Sequence, residues 1–230
     1  MNERIAKAVG PLRVASAGHA VFALTMIGLG VLGLIQRNFP PVWTGVYKGL
    51  PAREVLVYLC ALVSMATGVG LLLQRTAVVA ARALLVYLLA WLLLFRIPHV
   101  FAAPTVEATS WECGDTAVMA AAAWVLYAWL AGDRDAAGSR LRLATGESGV
   151  RFARVFYGLG LLPFGIAHFV YLKETVADVP GWLPSHVAWA YFTGAAFIAA
   201  GLAVLIGVYA RLAAVLSAWM IGLFTLLVWV

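Results

Sequence analysis

From Ala77 to Ile97 the sequence reads AVVAARALLVYLLAWLLLFRI, a run in which only Arg82 and Arg96 carry charge. A helix rising about 1.5 Å per residue crosses the ~30 Å hydrocarbon core in about twenty residues, so this segment has the length of one span. It does not alternate apolar with polar residues, as a strand of a membrane barrel does. The helix remains, because it pairs its backbone groups internally in a medium without water. Arg82 lies early enough for its aliphatic stem to carry the guanidinium back to the headgroups.

Six runs of the same kind surround it: Val14–Ile35, Val55–Leu73, Gly114–Leu130, Phe152–Leu172, Val187–Ile206 and Leu212–Val230. Of the 230 residues, 64% are hydrophobic and 11% charged, and the mean hydropathy is +0.95. A soluble domain is nearer half apolar and a quarter charged, and this surplus would leave large apolar patches in water. The sequence therefore predicts an all-α polytopic transmembrane bundle of about seven spans, with no room for a soluble catalytic domain. Arg4, Lys7 and Arg13 precede the first run as they would a signal peptide. The run is longer than a signal peptide's apolar core and no small-x-small site closes it, so it reads as a retained span.

Lysine and arginine placement sets the expected orientation. With the N-terminus cytoplasmic, Arg4, Lys7, Arg13, Arg75, Arg82, Arg134, Arg140, Arg142, Arg151, Arg154 and Arg211 fall inside. Only Arg37, Lys48, Arg53, Arg96 and Lys173 fall outside. In a bacterium the membrane would be the inner one. The net charge of +6 then reads as a topology signal and an attraction to anionic lipid. Nucleic acid is not an expected partner, since no basic patch carries interleaved aromatics. On the outer side tryptophans stand beside prolines, in Pro40-Pro41-Val42-Trp43 and Pro180-Gly181-Trp182-Leu183-Pro184. Such rings ordinarily rest at headgroup level.

The chain also matches itself. A single constant shift aligns Pro51–Ile97 with Pro184–Val230 without a gap, pairing Pro51 with Pro184, Tyr58 with Tyr191, Gly68 with Gly201 and Ala77 with Ala210. One residue of slip extends the match to Gly33 and Gly165, and sets Gln36 opposite His168. This predicts a parallel internal repeat of a four-helix unit. Residues 1–131 are the first unit, 132–151 a cytoplasmic linker and 152–230 a second unit that stops after its third helix.

Phe164-Gly165-Ile166-Ala167-His168-Phe169, Val179-Pro180-Gly181-Trp182-Leu183-Pro184, Trp189-Ala190-Tyr191-Phe192-Thr193-Gly194 and Ala199-Ala200-Gly201-Leu202 together resemble the DoxX-like family of four-helix membrane proteins. The first half resembles the same unit more loosely, through Gly33-Leu34-Ile35, Trp43, Pro51-Ala52-Arg53-Glu54 and Gly68-Val69-Gly70-Leu71-Leu72. The resemblance covers all but the linker. It implies a role as a subunit of quinone-linked sulfur oxidation or as partner of a redox enzyme, although many relatives have no assigned activity. The family's motif histidine is His168, but its mate in the first half is Gln36, which does not fit a mechanism needing histidine in both copies.

Gln36, Arg37, Arg96, His99, Glu112, Asp115, His168, Glu174 and His186 should all lie near one membrane face. Of these we take Gln36, Arg96, His99, Glu112 and His168, with Trp182, as the candidate ligand-binding set. Arg96 and His99 bracket Pro98, which should end or bend the third helix, and Glu112 or Asp115 is placed to pair with Arg96. A histidine or arginine donating to a quinone carbonyl stabilises the charge that appears there on reduction. The plainer reading is a satisfied polar rim that closes the loops. No catalytic residue can be assigned, and no metal site is expected, because the histidines lack ligand spacing.

Cys60 and Cys113 are the only cysteines, form no Cys-x-x-Cys pair, and read as two thiols rather than a disulfide. His19, within the first run, reads as a neutral packing residue. There is no P-loop, dinucleotide fingerprint or nucleophile elbow. Two classes of function therefore stand. One is a membrane component of a quinone-linked redox system, contacting quinone or anchoring a partner oxidoreductase. The other is a non-enzymatic scaffold or transporter-like carrier, and either could form a homo-oligomer.

Overall fold

A computed structural model describes residues 14, 16–43, 46, 49–132 and 144–227. The described residues are helical throughout, with short connections and no strand among them. The helices are α1 (Ala17–Gln36), α2 (Arg53–Leu72), α3 (Ala77–Trp91), α4 (Ile97–Ala102), α5 (Glu107–Ala131), α6 (Gly146–Val170), the short α7 (Leu172–Asp178), α8 (His186–Ile206) and α9 (Ala210–Leu227). A π turn, Leu92–Arg96, joins α3 to α4 and makes them one long element. Seven helices are long and apolar enough to cross a membrane: α1, α2, the α3–α4 element Ala77–Ala102, α5, α6, α8 and α9. The protein is thus an α-helical, multi-pass bundle.

Two boundaries differ from the sequence expectation for physical reasons. The fourth span begins at Glu107, ahead of Gly114, because a carboxylate is favoured in the first turn of a helix and the next polar residues face protein partners. The third does not end at Pro98. Its chain widens into the π turn just before the proline, where the missing N–H and the ring would break α-helical pairing, and runs on to Ala102.

By their contacts, the described residues within Met1–Phe95 and Met119–Ala153 form one compact unit, and those within Arg96–Val118 and Arg154–Val230 form another. The segment Arg96–Val118, which the sequence division counts with the first four helices, therefore packs with the second group. In the first unit α1 lies against α2 and α2 against α3; in the second, α8 receives α7 and α9. Trp43, expected at the interface, is 1% exposed, with its ring 5.1 Å from those of both Tyr87 and Trp91.

Glycines set the closest helix approaches. In the first unit a Cβ on Gly30 would stand 2.6 Å from the Ala61 carbonyl oxygen, and one on Gly68 would stand 2.7 Å from that of Ala23. In the second, a Cβ on Gly165 would stand 2.7 Å from the Gly194 oxygen, and one on Gly201 would stand 2.8 Å from that of Gly158. Only glycine permits backbones this near. On α2 and α8 these contacts keep the register of the sequence match, Gly68 answering Gly201. On α1 and α6 Gly30 answers Gly165, so Gly33, not Gln36, occupies the position of His168. The Cβ of His168 lies 2.8 Å from where Gly194 would carry one, just as a Cβ on Gly33 would meet the Ala61 Cβ at 3.2 Å. Two further features recur in the register that pairs Gly68 with Gly201. Both α2 and α8 start from a left-handed residue, Ala52 or Ser185, each at φ 57°. Both α3 and α9 start from an alanine, Ala77 or Ala210.

Candidate functional site

The second unit contains the strongest polar constellation among the described residues, built from α4, α5 and the end of the π turn. Arg96, the last residue of that turn, is 1% exposed. An arginine buried in so apolar a chain needs a partner, since a buried charge without one is costly to take out of water. Glu112 supplies it: an Arg96 guanidinium nitrogen donates to Glu112 Oε2 at 2.6 Å. Arg96 Nε donates to Thr116 Oγ1 at 3.2 Å, and the Thr116 hydroxyl in turn donates to the Glu112 carbonyl at 3.4 Å. Glu112 and Thr116 are one helical turn apart on α5, so one face of that helix holds both ends of the guanidinium.

His99 stands one turn beyond Arg96. Its Nδ1 is 3.7 Å from the same Glu112 oxygen, and its side chain is 39% exposed. Glu112 is thus shared between a buried permanent cation and a titratable ring that reaches the surface. Phe101, 79% exposed, and Trp111, 40% exposed, flank the pair in sequence and add apolar surface.

The other candidates lie elsewhere. His168, on α6, donates from Nδ1 to the Phe164 carbonyl at 2.7 Å, and its ring lies 5.5 Å from that of Phe197 and 6.5 Å from that of Phe224. Because a carbonyl can only accept, Nδ1 is the donor of this bond. Trp182 is 70% exposed in the turn before α8. Gln36 is exposed at the end of α1, in the first unit. His186 opens α8 and Glu174 lies exposed on α7.

Sequence reasoning missed Thr116 and Glu107. The single helical turn from Glu112 to Thr116 was the available signal for the first. Both carboxyl oxygens of Glu107 are buried without a hydrogen-bond partner, at the start of α5. Nothing in the composition of that loop announces this. Tyr171 ties the same region together, its hydroxyl accepting from the Ala108 amide at 3.2 Å. Cys60 and Cys113 are both free thiols. Among the described residues no three His, Cys, Asp or Glu side chains converge to hold a metal ion.

Fold and cluster together define a multi-pass α-helical membrane protein with a half-buried ion pair beside a surface histidine. The chain matches no family model, no curated protein and no solved structure.

Proposed function

We propose that this protein is the membrane component of a quinone-linked redox system, built as a tandem of DoxX-like units with its N-terminus cytoplasmic. In this reading Arg96, Glu112 and His99 receive a quinone headgroup at the membrane edge, and a partner oxidoreductase supplies the electrons. The observation that carries it is the sharing of Glu112 between buried Arg96 and surface His99. Reducing a quinone to a quinol takes two electrons and two protons. A His99 ring N–H can pass one proton to a carbonyl oxygen as charge develops there, water at the membrane edge supplies the second and restores the histidine's proton, and Arg96 holds the Glu112 carboxyl in place. The exposed Phe101 and Trp111 offer an apolar approach for an isoprenoid tail. The matched helix starts and glycine contacts support the tandem reading, and the arginine asymmetry supports the orientation.

The test is to purify the protein in mild detergent and extract it for bound quinone. We expect quinone in the wild type and its loss in His99→Ala, with the thermal midpoint unchanged because His99 is partly exposed. Arg96→Met paired with Glu112→Leu should fold, since a well-packed apolar pair can replace a buried ion pair, but should hold no quinone. No quinone in any preparation, or quinone indifferent to both changes, would leave the trio as a structural lock and favour the scaffold reading.

A further inference from the structure

At the end of the second unit where α8 stops and α9 starts, Arg154, Gly207, Tyr209, Arg211, Leu212 and Val215 line an open pocket of about 570 Å³. Two arginines line one space, and among the described residues neither has a carboxylate partner. Arg154 gives one donor to the Val204 carbonyl at 3.3 Å, and its Nε is buried without a partner. The backbone is shaped to leave this room. Gly207 adopts φ 81°, and a Cβ there would lie 2.7 Å from an Arg154 terminal nitrogen. Tyr209, at φ 49°, turns its ring outward and is 79% exposed. Below the arginines the walls are apolar: Leu212 is 55% and Val215 47% exposed, and Leu216, Trp219 and Leu223 continue the track down α9.

A pocket lined by two arginines without carboxylate partners among the described residues, with an exposed apolar track beneath, suits a phosphodiester headgroup with its acyl chain. The matching corner of the first unit argues that this opening is specific. In the register of the glycine contacts, His19 answers Arg154 and Leu71 answers Val204, and there the His19 ring donates to the Leu71 carbonyl. Thr76 stands where Tyr209 does, and its hydroxyl donates to the Gly70 carbonyl at 2.8 Å. At the position of Arg154 that corner carries a ring that is 2% exposed, and at the position of Arg211 it carries Val78. We propose that the Arg154–Arg211 pocket binds the headgroup of an anionic phospholipid. A soluble phosphate would use the arginines alone, whereas the lipid also covers the α9 track.

The full chain, delipidated in detergent and reconstituted in nanodiscs of phosphatidylcholine with a minority of phosphatidylglycerol, tests this by native mass spectrometry of the retained lipid. The wild type should retain phosphatidylglycerol in preference to phosphatidylcholine. Arg211→Gln, an exposed position with no carboxylate partner among the described residues, should lower that preference about fivefold, and Arg154→Gln by a similar factor. Arg82→Gln, an exposed arginine of α3 outside the pocket, should leave it unchanged, and inorganic phosphate should not displace the lipid. The proposal is overturned if the wild type shows no preference, if Arg82→Gln acts as strongly as Arg211→Gln, or if inorganic phosphate displaces the lipid.

Discussion

In α1–α2–α3 the corner below the end of α2 is sealed. His19 is buried and bonded to the Leu71 carbonyl, and Thr76 closes the following turn onto Gly70. In α6–α8–α9 the corresponding corner is open, with Arg154 on the Val204 carbonyl and Tyr209 turned outward. The glycine crossings beside the two corners are the same to within a few tenths of an ångström. The contrast separates two jobs within each helix trio. Backbone approach is fixed by glycine, which has no alternative at those distances, so it stays alike. The side chain that satisfies the last carbonyls of the middle helix needs only a donor, so a histidine serves in one place and an arginine in the other. Chemistry can diverge at that position without disturbing the frame.

The largest effects should come from the shared frame. Alanine at Gly30, Gly68, Gly165 or Gly201 places a Cβ within 2.8 Å of a facing backbone oxygen, so the helices must separate. Each change should cost about 1–3 kcal/mol, read as a lower thermal midpoint in detergent. Gly28, with nothing within 4 Å of its added Cβ, is the control and should gain up to about 1 kcal/mol from helix propensity. Tolerance of alanine in one trio but not the other would break the comparison at its base.

A smaller effect should separate the two corners. His19→Ala leaves the Leu71 carbonyl unsatisfied in a dry site and opens a gap, at about 1–3 kcal/mol. Arg154→Ala exposes the Val204 carbonyl in an open pocket that water reaches, and should cost about 1 kcal/mol or less. Thermal midpoints of the two variants measure the difference directly. Equal losses would mean that the second corner is as closed as the first, and the lipid pocket would lose its basis.

How much of this was legible follows from the kind of signal each feature leaves. Span number and helical class are written in apolar run length, which nothing else in the chain imitates. The pairing of Arg96 with an acid across the loop was legible because a buried arginine must be neutralised and few acids are near. The choice of Glu112 over Asp115 was not, since it depends on the α5 face shared with Thr116. The sequence sets Gly33 against Gly165 where the structure sets Gly30, because glycine and leucine recur often in any span. Only the facing backbone shows which glycine is in contact. Arg154 reads as one of many cytoplasmic arginines, although the register that pairs Gly30 with Gly165 puts it at the position of His19.

The smallest effect is the most symmetric. Ala52 and Ser185 precede α2 and α8, both at φ 57°, and neither side chain caps its helix. A side-chain-bearing residue in the left-handed region costs about 1–2 kcal/mol in contact between Cβ and carbonyl that glycine avoids. Glycine in return gives the unfolded chain more freedom, which removes about 0.4–1 kcal/mol of that gain. Ala52→Gly should therefore stabilise the protein by roughly 0.5 kcal/mol. Ser185→Gly should give about the same, because the serine side chain makes no cap bond that glycine would lose. The pair should move the thermal midpoint in the same direction, and the double variant should approach the sum, since the two sites belong to different compact units and share no partner. Opposite signs would show that only one of the two turns needs its left-handed residue. The likeness between the helix starts would then be a coincidence of backbone angle, leaving the glycine crossings as the sole structural ground for comparing the two trios.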